Sequence, residues 1–325
     1  MTNQKQIALD LGISVATVSN ALTGKGRVSE DVIGLVTSRA EQLGYIPNPA
    51  GRALKTGRSG ILGMVIPDIT QLAFAEFAQG MEAEAGKCGF GVLIANARGN
   101  ETGQTDAIRQ LVQRGVDGIV IIPQRGTTPE MPSVPVAVIS TQDDPRSTVS
   151  ANHRQGGALS AQALLDLGHR NFLLLGDDSF SKVQVERIAG MIDVLEGSAF
   201  YDVCWAMEEF PDLLHKHQKG MTAVLAVSDL LALRVITEAA GCGIRCPETI
   251  SVIGFDDLPL ATAIRPTLSS ITANIPEISK RAVAYLSAAV RQERDLPKPS
   301  TVENSLLLRQ SVGPANTKLK PKEGE

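Results

Sequence analysis

Six residues within one short stretch have side chains that suit contact with double-stranded DNA: Ser14, Val15, Ala16, Thr17, Ser19 and Asn20. The amide of Asn20 can form two hydrogen bonds with the edge of an adenine, and Val15 and Ala16 can contact thymine methyl groups. Thr17, Ser19 and the Ser14 amide suit phosphate oxygens, which fix the position of a protein on DNA without reading its sequence. The residue types therefore indicate a DNA-reading surface.

Three short helical patterns would hold that stretch in place. The first covers about Lys5–Leu11 and stops at Gly12, which suits a left-handed turn. The second, Val15–Leu22, follows Ser14 in the N-cap position. A third begins after Ser29 and ends at Gly44. This arrangement predicts a helix-turn-helix whose second helix reads DNA. On this pattern alone, a three-helix bundle that binds another protein remains an alternative.

The next stretch, GYIPNPAGRALKTGR at 44–58, predicts a short helix over about Ala50–Lys55, with Asn48 as its cap. A helix of this length is marginal in water, so we expect it to form only against DNA or against its copy in a dimer. Leu54 would then enter the minor groove between base steps, with Arg52 and Lys55 near phosphates. A flexible linker is the alternative for the free protein.

The distribution of charge supports this division of the chain. The 325 residues carry a net charge of −4, which by itself argues against nucleic acid as a partner. Residues 1–60, however, hold seven basic and four acidic side chains, against 24 and 31 in the remainder. We find no apolar run long enough for a membrane span and no secretory signal, and four cysteines suit a reducing cytoplasm. No metal-binding, cofactor-binding or catalytic pattern is present, so we expect neither a cofactor nor an enzyme.

From Gly60 onward the sequence alternates between strand and helix patterns, which predicts an α/β fold with parallel sheets covered on both faces. Two doubly wound subdomains are expected, with a crevice between them at the carboxyl ends of the strands. We place one subdomain at about 60–153 and 276–304, and the other at about 154–275 and 305–312. The polar tail, 313–325, is expected to be disordered.

Four motifs carry a resemblance that spans essentially the whole chain: IALDLGISVATVSNAL, RVSEDV, LGYIPNPAGRALKTGRSGILGMVIPD and ISVIGFDDLPLA. The chain resembles the lactose/galactose repressor family of bacterial transcription regulators. The resemblance implies a helix-turn-helix domain at 1–46, a hinge helix and linker at 47–59, and a periplasmic-binding-protein-like domain at 60–312. It also implies a homodimer that represses transcription from a pseudo-palindromic operator. Tyr45 joins the expected DNA contacts by this resemblance.

The resemblance also implies an effector site in the crevice. Asp256 would accept hydrogen bonds from effector hydroxyls or amines, Arg187 of the R-x-x-G motif would clamp an oxygen or carboxylate, and Phe74 would stack on the effector. Asp229 either contacts the effector or only caps its helix. Gln71 and Ser140 stand where the family has other residues, and the segment between Gly190 and Thr222 is shorter than usual. A sugar or sugar derivative is the expected effector, and loss of the effector response is the alternative that these departures leave open.

Two other classes of protein are alternatives to a DNA-binding regulator: a solute-binding protein and an enzyme. A solute-binding protein without a DNA function would share the fold of 60–312, but residues 1–58 argue against it. An enzyme on a doubly wound fold would need a nucleophile and base or a cofactor loop, and the sequence shows neither.

Overall fold

The structure is a computed structural model that describes residues 3–23, 27–45 and 57–315. The chain divides into two units, Met1–Ser59 and Gly60–Glu325, which are described separately. The predicted hinge helix, with Asn48, Arg52, Leu54 and Lys55, lies outside the described residues.

The first unit contains three helices: α1 (Gln4–Leu11), α2 (Val15–Thr23) and α3 (Glu30–Gln42). Asn3 caps α1 by accepting the backbone N–H of Gln6, and Gly12 follows with a φ of 65°, where a side chain would be strained. The three helices meet in a small apolar core formed by Ile7, Ala8, Val18, Ala21, Val36 and Ala40. An ion pair of 2.6 Å between Arg39 and Asp10 also joins α3 to α1.

The first half of the second unit is built on a four-stranded parallel sheet in the order β2-β1-β3-β4. Its strands are β1 (Ile61–Ile66), β2 (Gly91–Asn96), β3 (Gly118–Ile121) and β4 (Val136–Val138). Helices α4 (Leu72–Lys87) and α5 (Glu101–Gln113) connect the first three strands. The strands are short apolar runs because both faces of the sheet are covered, which is the usual state of a parallel sheet.

The second half has a six-stranded sheet in the order β12-β10-β9-β8-β6-β7, in which only the pair β10–β12 is antiparallel. Its strands are β6 (Asn171–Gly176), β7 (Phe200–Trp205), β8 (Ala223–Ala226), β9 (Ser251–Phe255), β10 (Ser269–Thr272) and β12 (Ser305–Leu307). The helices of this half are α6 (His153–Asp166), α7 (Lys182–Leu195), α8 (Leu213–Gln218), α9 (Asp229–Gly241) and α10 (Leu260–Ala263).

The chain passes between the two halves three times. The first passage follows β5 (Val149–Ala151), the second leads from β10 into α11 (Ile275–Val290), and the third follows β11 (Ser300–Val302). β5 and β11 pair in parallel as a separate two-stranded sheet. Asn304 ties two of the passages together, because its side-chain amide donates to the Asn152 carbonyl oxygen at 2.6 Å.

The predicted alternation of strands and helices, and the two doubly wound halves, are confirmed. Five short elements were not predicted, namely β5, β10, β11, α8 and α10, because runs of three to six residues are too short to show a period. The expectation that the disordered tail begins at 313 is wrong for its first residues. Gly313 accepts a hydrogen bond from Ser251 and donates one back, and Ala315 donates to the Leu167 carbonyl oxygen. Within the described ranges, no helix combines the length and apolar character that crossing a bilayer requires.

Candidate functional site

One face of α2 is exposed while the opposite face is buried. Val18 lies in the core of the first unit, whereas Ser14, Val15 and Ala16 at the beginning of the helix are exposed. The Ser14 hydroxyl accepts the Thr17 backbone N–H at 3.0 Å and lies 2.8 Å from the Thr17 hydroxyl. Ser14 is therefore the expected N-cap, and its cap holds the exposed first turn of α2 in place.

The other predicted DNA contacts have different environments. Thr17, Ser19 and Asn20 are partly buried along α2. Tyr45 packs against the core of the first unit, and its backbone N–H donates to the Ala40 carbonyl oxygen at 2.8 Å. A role for any of these residues in DNA binding stays a prediction.

Arg187 lies at the centre of a buried network in the second half of the second unit. Its Nη1 lies 2.6 Å from the Val227 carbonyl oxygen and 3.0 Å from Asp256 Oδ1. Its Nε donates to His153 Nδ1 at 3.4 Å, and its guanidinium carbon lies 3.6 Å from the centre of the Phe255 ring. Burial, followed by the charge of Arg187, holds the pKa of His153 well below its usual value, so the imidazole is neutral and can accept this bond.

Two glycines bring α6 and α7 close enough to form this network. A Cβ on Gly157 would collide with the Arg187 carbonyl oxygen, and a Cβ on Gly190 would collide with the Arg154 carbonyl oxygen. The R-x-x-G motif thus supplies both the arginine and the glycine that lets its helix approach α6.

The loop after β9 carries Asp256 and Asp257 with φ angles of 105° and 56°, a conformation that non-glycine residues rarely adopt. Backbone strain of this kind persists only where the surroundings hold it, and functional sites are frequent places for it. Here the Asp256 N–H donates to the Ile271 carbonyl oxygen at 2.7 Å, and Asp257 forms a 2.6 Å ion pair with Arg309. Burial raises the pKa of Asp256, and the nearby charge of Arg187 opposes that rise.

Asp229 is not the helix cap that the sequence suggested. Ser228 caps α9 by accepting the Leu231 N–H, and Asp229 is the first helical residue, with its side chain fully buried. Its carboxylate accepts the Leu258 N–H at 2.7 Å and the Ser270 hydroxyl at 2.6 Å. Burial, with the charges of Asp256 and Asp257 adding to it, raises the pKa of Asp229 to about 7. Through its bond with the Leu258 N–H, Asp229 holds the 256–258 loop in place.

The remaining predicted effector residues belong to the first half. Phe74 is half-buried against the core of that half, and the Gln71 carbonyl oxygen accepts the Phe74 N–H at 3.0 Å. The Ser140 hydroxyl donates to Asp144 Oδ2 at 3.1 Å. The structure therefore brings Arg187, Asp256 and Asp229 together in one network and places Phe74, Gln71 and Ser140 on the other half.

The sequence indicates the loop carboxylates Asp177 and Asp178 as groups suited to a ligand, but it does not indicate Arg125 or the contacts between the two halves. Arg125, after β3, lies 3.3 Å from Asp177 and 3.8 Å from Asp178, the pair that follows β6. On α7, burial and then Asp143 raise the pKa of Glu186 to about 7, while a hydrogen bond with Thr141 opposes the rise. The rule that ligands lie beyond the carboxyl ends of parallel strands could have identified Arg125, which follows β3 by four residues.

A helix-turn-helix followed by a two-halved α/β unit, with charged side chains where the halves face each other, is the organisation of a ligand-responsive DNA-binding regulator. Residues 4–48 match the sequence description "Bacterial regulatory proteins, lacI family", and residues 161–312 match "Periplasmic binding protein-like domain". Over the whole chain, the protein is similar to the HTH-type transcriptional regulator DegA of Bacillus subtilis (strain 168), with 28% identity over 96% of this chain and 98% of the relative.

Two solved structures have the same fold. The lac repressor dimer bound to operator and the anti-inducer ONPF superimposes with a TM-score of 0.78 and 21% identity, covering 96% of this chain and 99% of that one. The transcriptional regulator CelR–cellobiose complex gives a TM-score of 0.69 and 22% identity, covering 96% and 100% of the two chains. The chain therefore joins a LacI-type helix-turn-helix domain to a periplasmic-binding-protein-like domain, and its whole-length relatives are LacI-family DNA-binding transcriptional regulators.

Proposed function

We propose that the protein is a repressor that binds a pseudo-palindromic operator as a homodimer in the bacterial cytoplasm, under the control of a small-molecule effector. The observation that carries this proposal is the exposed first turn of α2, which Ser14 caps and which the core of the first unit holds from behind. A helix whose exposed N-terminal residues can reach base edges is the recognition element of a helix-turn-helix protein.

On α2, Val15 and Ala16 would contact thymine methyl groups and Asn20 an adenine. The hydroxyl-bearing residues and Tyr45 would contact the DNA backbone. Beyond the described residues, the hinge would add an apolar minor-groove contact from Leu54, with Asn48, Arg52 and Lys55 beside it.

A homodimer is expected because its two-fold symmetry matches the symmetry of a pseudo-palindromic operator. Two copies of α2 separated by one or more turns of DNA read the two halves of a pseudo-palindrome. The lac repressor, whose fold this chain shares, is described as a dimer on its operator. In a dimer the basic head is present twice, while the acidic remainder is repelled by DNA.

The effector would lie in the crevice of the second unit. Asp256 and Arg187 would provide contacts from one half, Phe74, Gln71 and Ser140 from the other, and Asp229 would act through the 256–258 loop. A sugar or sugar derivative is supported by the fold shared with CelR, which was solved with cellobiose. Such a ligand changes DNA binding only if its affinity differs between two conformations of the protein.

Fluorescence anisotropy with the full-length protein and labelled DNA from the promoters flanking its own gene tests the proposal. We expect one fragment to bind much more tightly than unrelated DNA of the same length, with an affinity that falls steeply as salt concentration rises. Asn20→Ala should weaken binding to that fragment, and Asp106→Ala, on the surface of α5, is the matched control. Equal affinity for all fragments would favour a solute-binding protein without a DNA function.

A further inference from the structure

Charged side chains meet where the two halves of the second unit face each other. Among the described residues, six carboxylates stand there against three guanidinium groups, those of Arg125, Arg154 and Arg187. The carboxylates belong to Glu76, Asp143, Asp177, Asp178, Glu186 and Asp256. These residues lie in the loops after the strands or on the helices that follow them, and interactions between the two halves place them opposite one another.

Arg187 cannot serve as a free clamp for an anionic effector. Its guanidinium is buried, paired with Asp256, bonded to the Val227 carbonyl oxygen and stacked on Phe255. An effector carboxylate or phosphate would have to compete with Asp256 for this charge in a poorly solvated place, at a high cost in desolvation. The expectation that Arg187 clamps a carboxylate is therefore not supported by its surroundings.

Arg125 is held much less firmly than Arg187. Its guanidinium bridges the two halves by pairing with Asp177 and Asp178, and the side chains of the three residues are 35%, 37% and 16% exposed. Ion pairs with this degree of exposure contribute little to stability because water and salt screen them. A ligand cation can thus replace Arg125 on the two aspartates at a small cost.

Three of the carboxylates have no direct ion-pair partner among the described residues. Glu76, Asp143 and Glu186 form no ion pair within the part of the chain that the structure describes. Burial, and then the charges of Asp256 and Asp257, raise the pKa of Glu76, while burial and Asp143 raise that of Glu186. Arg154 lies near Asp143 and Glu186, but Asp193 engages it through two hydrogen bonds of 2.5 and 2.6 Å.

We infer that the effector is a small organic cation whose ammonium or guanidinium group replaces Arg125 on Asp177 and Asp178. The remaining carboxylates of the crevice then surround the ligand and favour its positive charge over a neutral or negative one of the same size. This inference rests on the proposed function, because it assigns the charge of the molecule that the crevice of the regulator binds.

Matched pairs of probes test the inference on the full-length protein. Putrescine has two amines where 1,4-butanediol has two hydroxyls, and D-glucosamine has one amine where D-glucose has a hydroxyl. D-gluconate supplies the anion. We expect at least one amine to raise the melting temperature in a saturable manner while its hydroxyl partner and gluconate do not. Isothermal titration calorimetry then gives the affinity of that amine.

Two substitutions distinguish a binding role from a structural one. The double change Asp177→Asn and Asp178→Asn should weaken binding of the amine by roughly tenfold or more, because charge-assisted hydrogen bonds are lost. Arg125→Gln should instead strengthen it, because the internal competitor is gone. If Arg125 only latched the two halves together, its loss would weaken binding. Asp106→Asn on the surface of α5 is the control and should change nothing.

The inference is overturned if none of the amines stabilises the protein, if a hydroxyl partner or gluconate stabilises it equally, or if the Asp177 and Asp178 changes leave the affinity unaltered. Operator binding is measured separately by anisotropy. Loss of specific operator binding would refute the proposed function, whereas specific operator binding together with indifference to amines would refute only the charge assigned to the effector.

Discussion

The two walls of the crevice are constructed differently. The wall from the second half is fixed: Arg187 and Asp229 are buried, Asp256 is partly buried, and all three are bonded to one another or to neighbouring groups. Close packing of α6 on α7 sets the position of Arg187. The wall from the first half is more open, with Ile69 and Leu72 about half exposed near Gln71. A preformed wall and an adaptable one allow a ligand to bind first to the rigid half and then to draw the other half onto it.

The largest effect should come from a change that disturbs the rigid wall. Gly157→Ala places a methyl group against the Arg187 carbonyl oxygen and forces α6 and α7 apart. We expect a loss of about 3 kcal/mol in the free energy of unfolding, measured by urea denaturation.

Gly86→Ala is the matched control for Gly157→Ala, since Gly86 also lies in a helix, α4, but a Cβ there meets nothing within 4 Å. It should leave stability unchanged or raise it slightly. If both changes cost the same, the close packing of α6 on α7 does not fix the second wall.

A smaller loss in the free energy of unfolding is expected from a change at Asp229, which holds the 256–258 loop of the rigid wall. Asp229→Ala leaves the Leu258 N–H and the Ser270 hydroxyl without their buried acceptor, at a cost of about 2 kcal/mol by urea denaturation. Because the 256–258 loop loses its support, the affinity for any crevice ligand should fall as well. An Asp229→Ala protein with unaltered ligand affinity would show that Asp256 is held in place without Asp229, and Asp106→Ala again controls for loss of a surface carboxylate.

The smallest effect concerns the contact between the walls. The pKa of Glu186 is raised from 4.5 to about 7, so the folded protein binds a proton more tightly there than the unfolded chain does. Stability is therefore lost as the pH rises from about 4.5 towards 7. Glu186→Gln keeps a partner for Thr141 and removes the charge. It should raise the melting temperature modestly at pH 8 and leave it unchanged at pH 4.

Glu238→Gln, on the exposed surface of α9, is the control for Glu186→Gln and should change the melting temperature at neither pH. The groups that face Glu186 are Asp143 and Thr141 from the first half and Arg154 and Arg187 from the second. A pH profile that Glu186→Gln leaves unaltered would indicate that the two walls do not meet in the free protein.

Sequence reasoning predicted the rigid wall better than the open one. Arg187 and Asp256 could be predicted because each lies in a motif attached to a regular element, and the alternation of strands and helices locates those elements. The role of Asp229 was missed because its position at the beginning of a helix suggests a cap, and only the fold shows that its carboxylate points at the 256–258 loop. Contacts such as Arg125 with Asp177 depend on the angle between the halves, which no local pattern contains.

The three passages of the chain between the halves have a further consequence. Since β5 pairs with β11, and Asn304 bonds to Asn152, the first and third passages are fastened side by side and act together as one joint. A joint of this kind leaves the two halves a single angle through which to move. Substitutions in the crevice can therefore change which molecule closes it, while the path of closure stays the same. Regulators with this fold can therefore come to respond to a new effector while keeping the same closing movement.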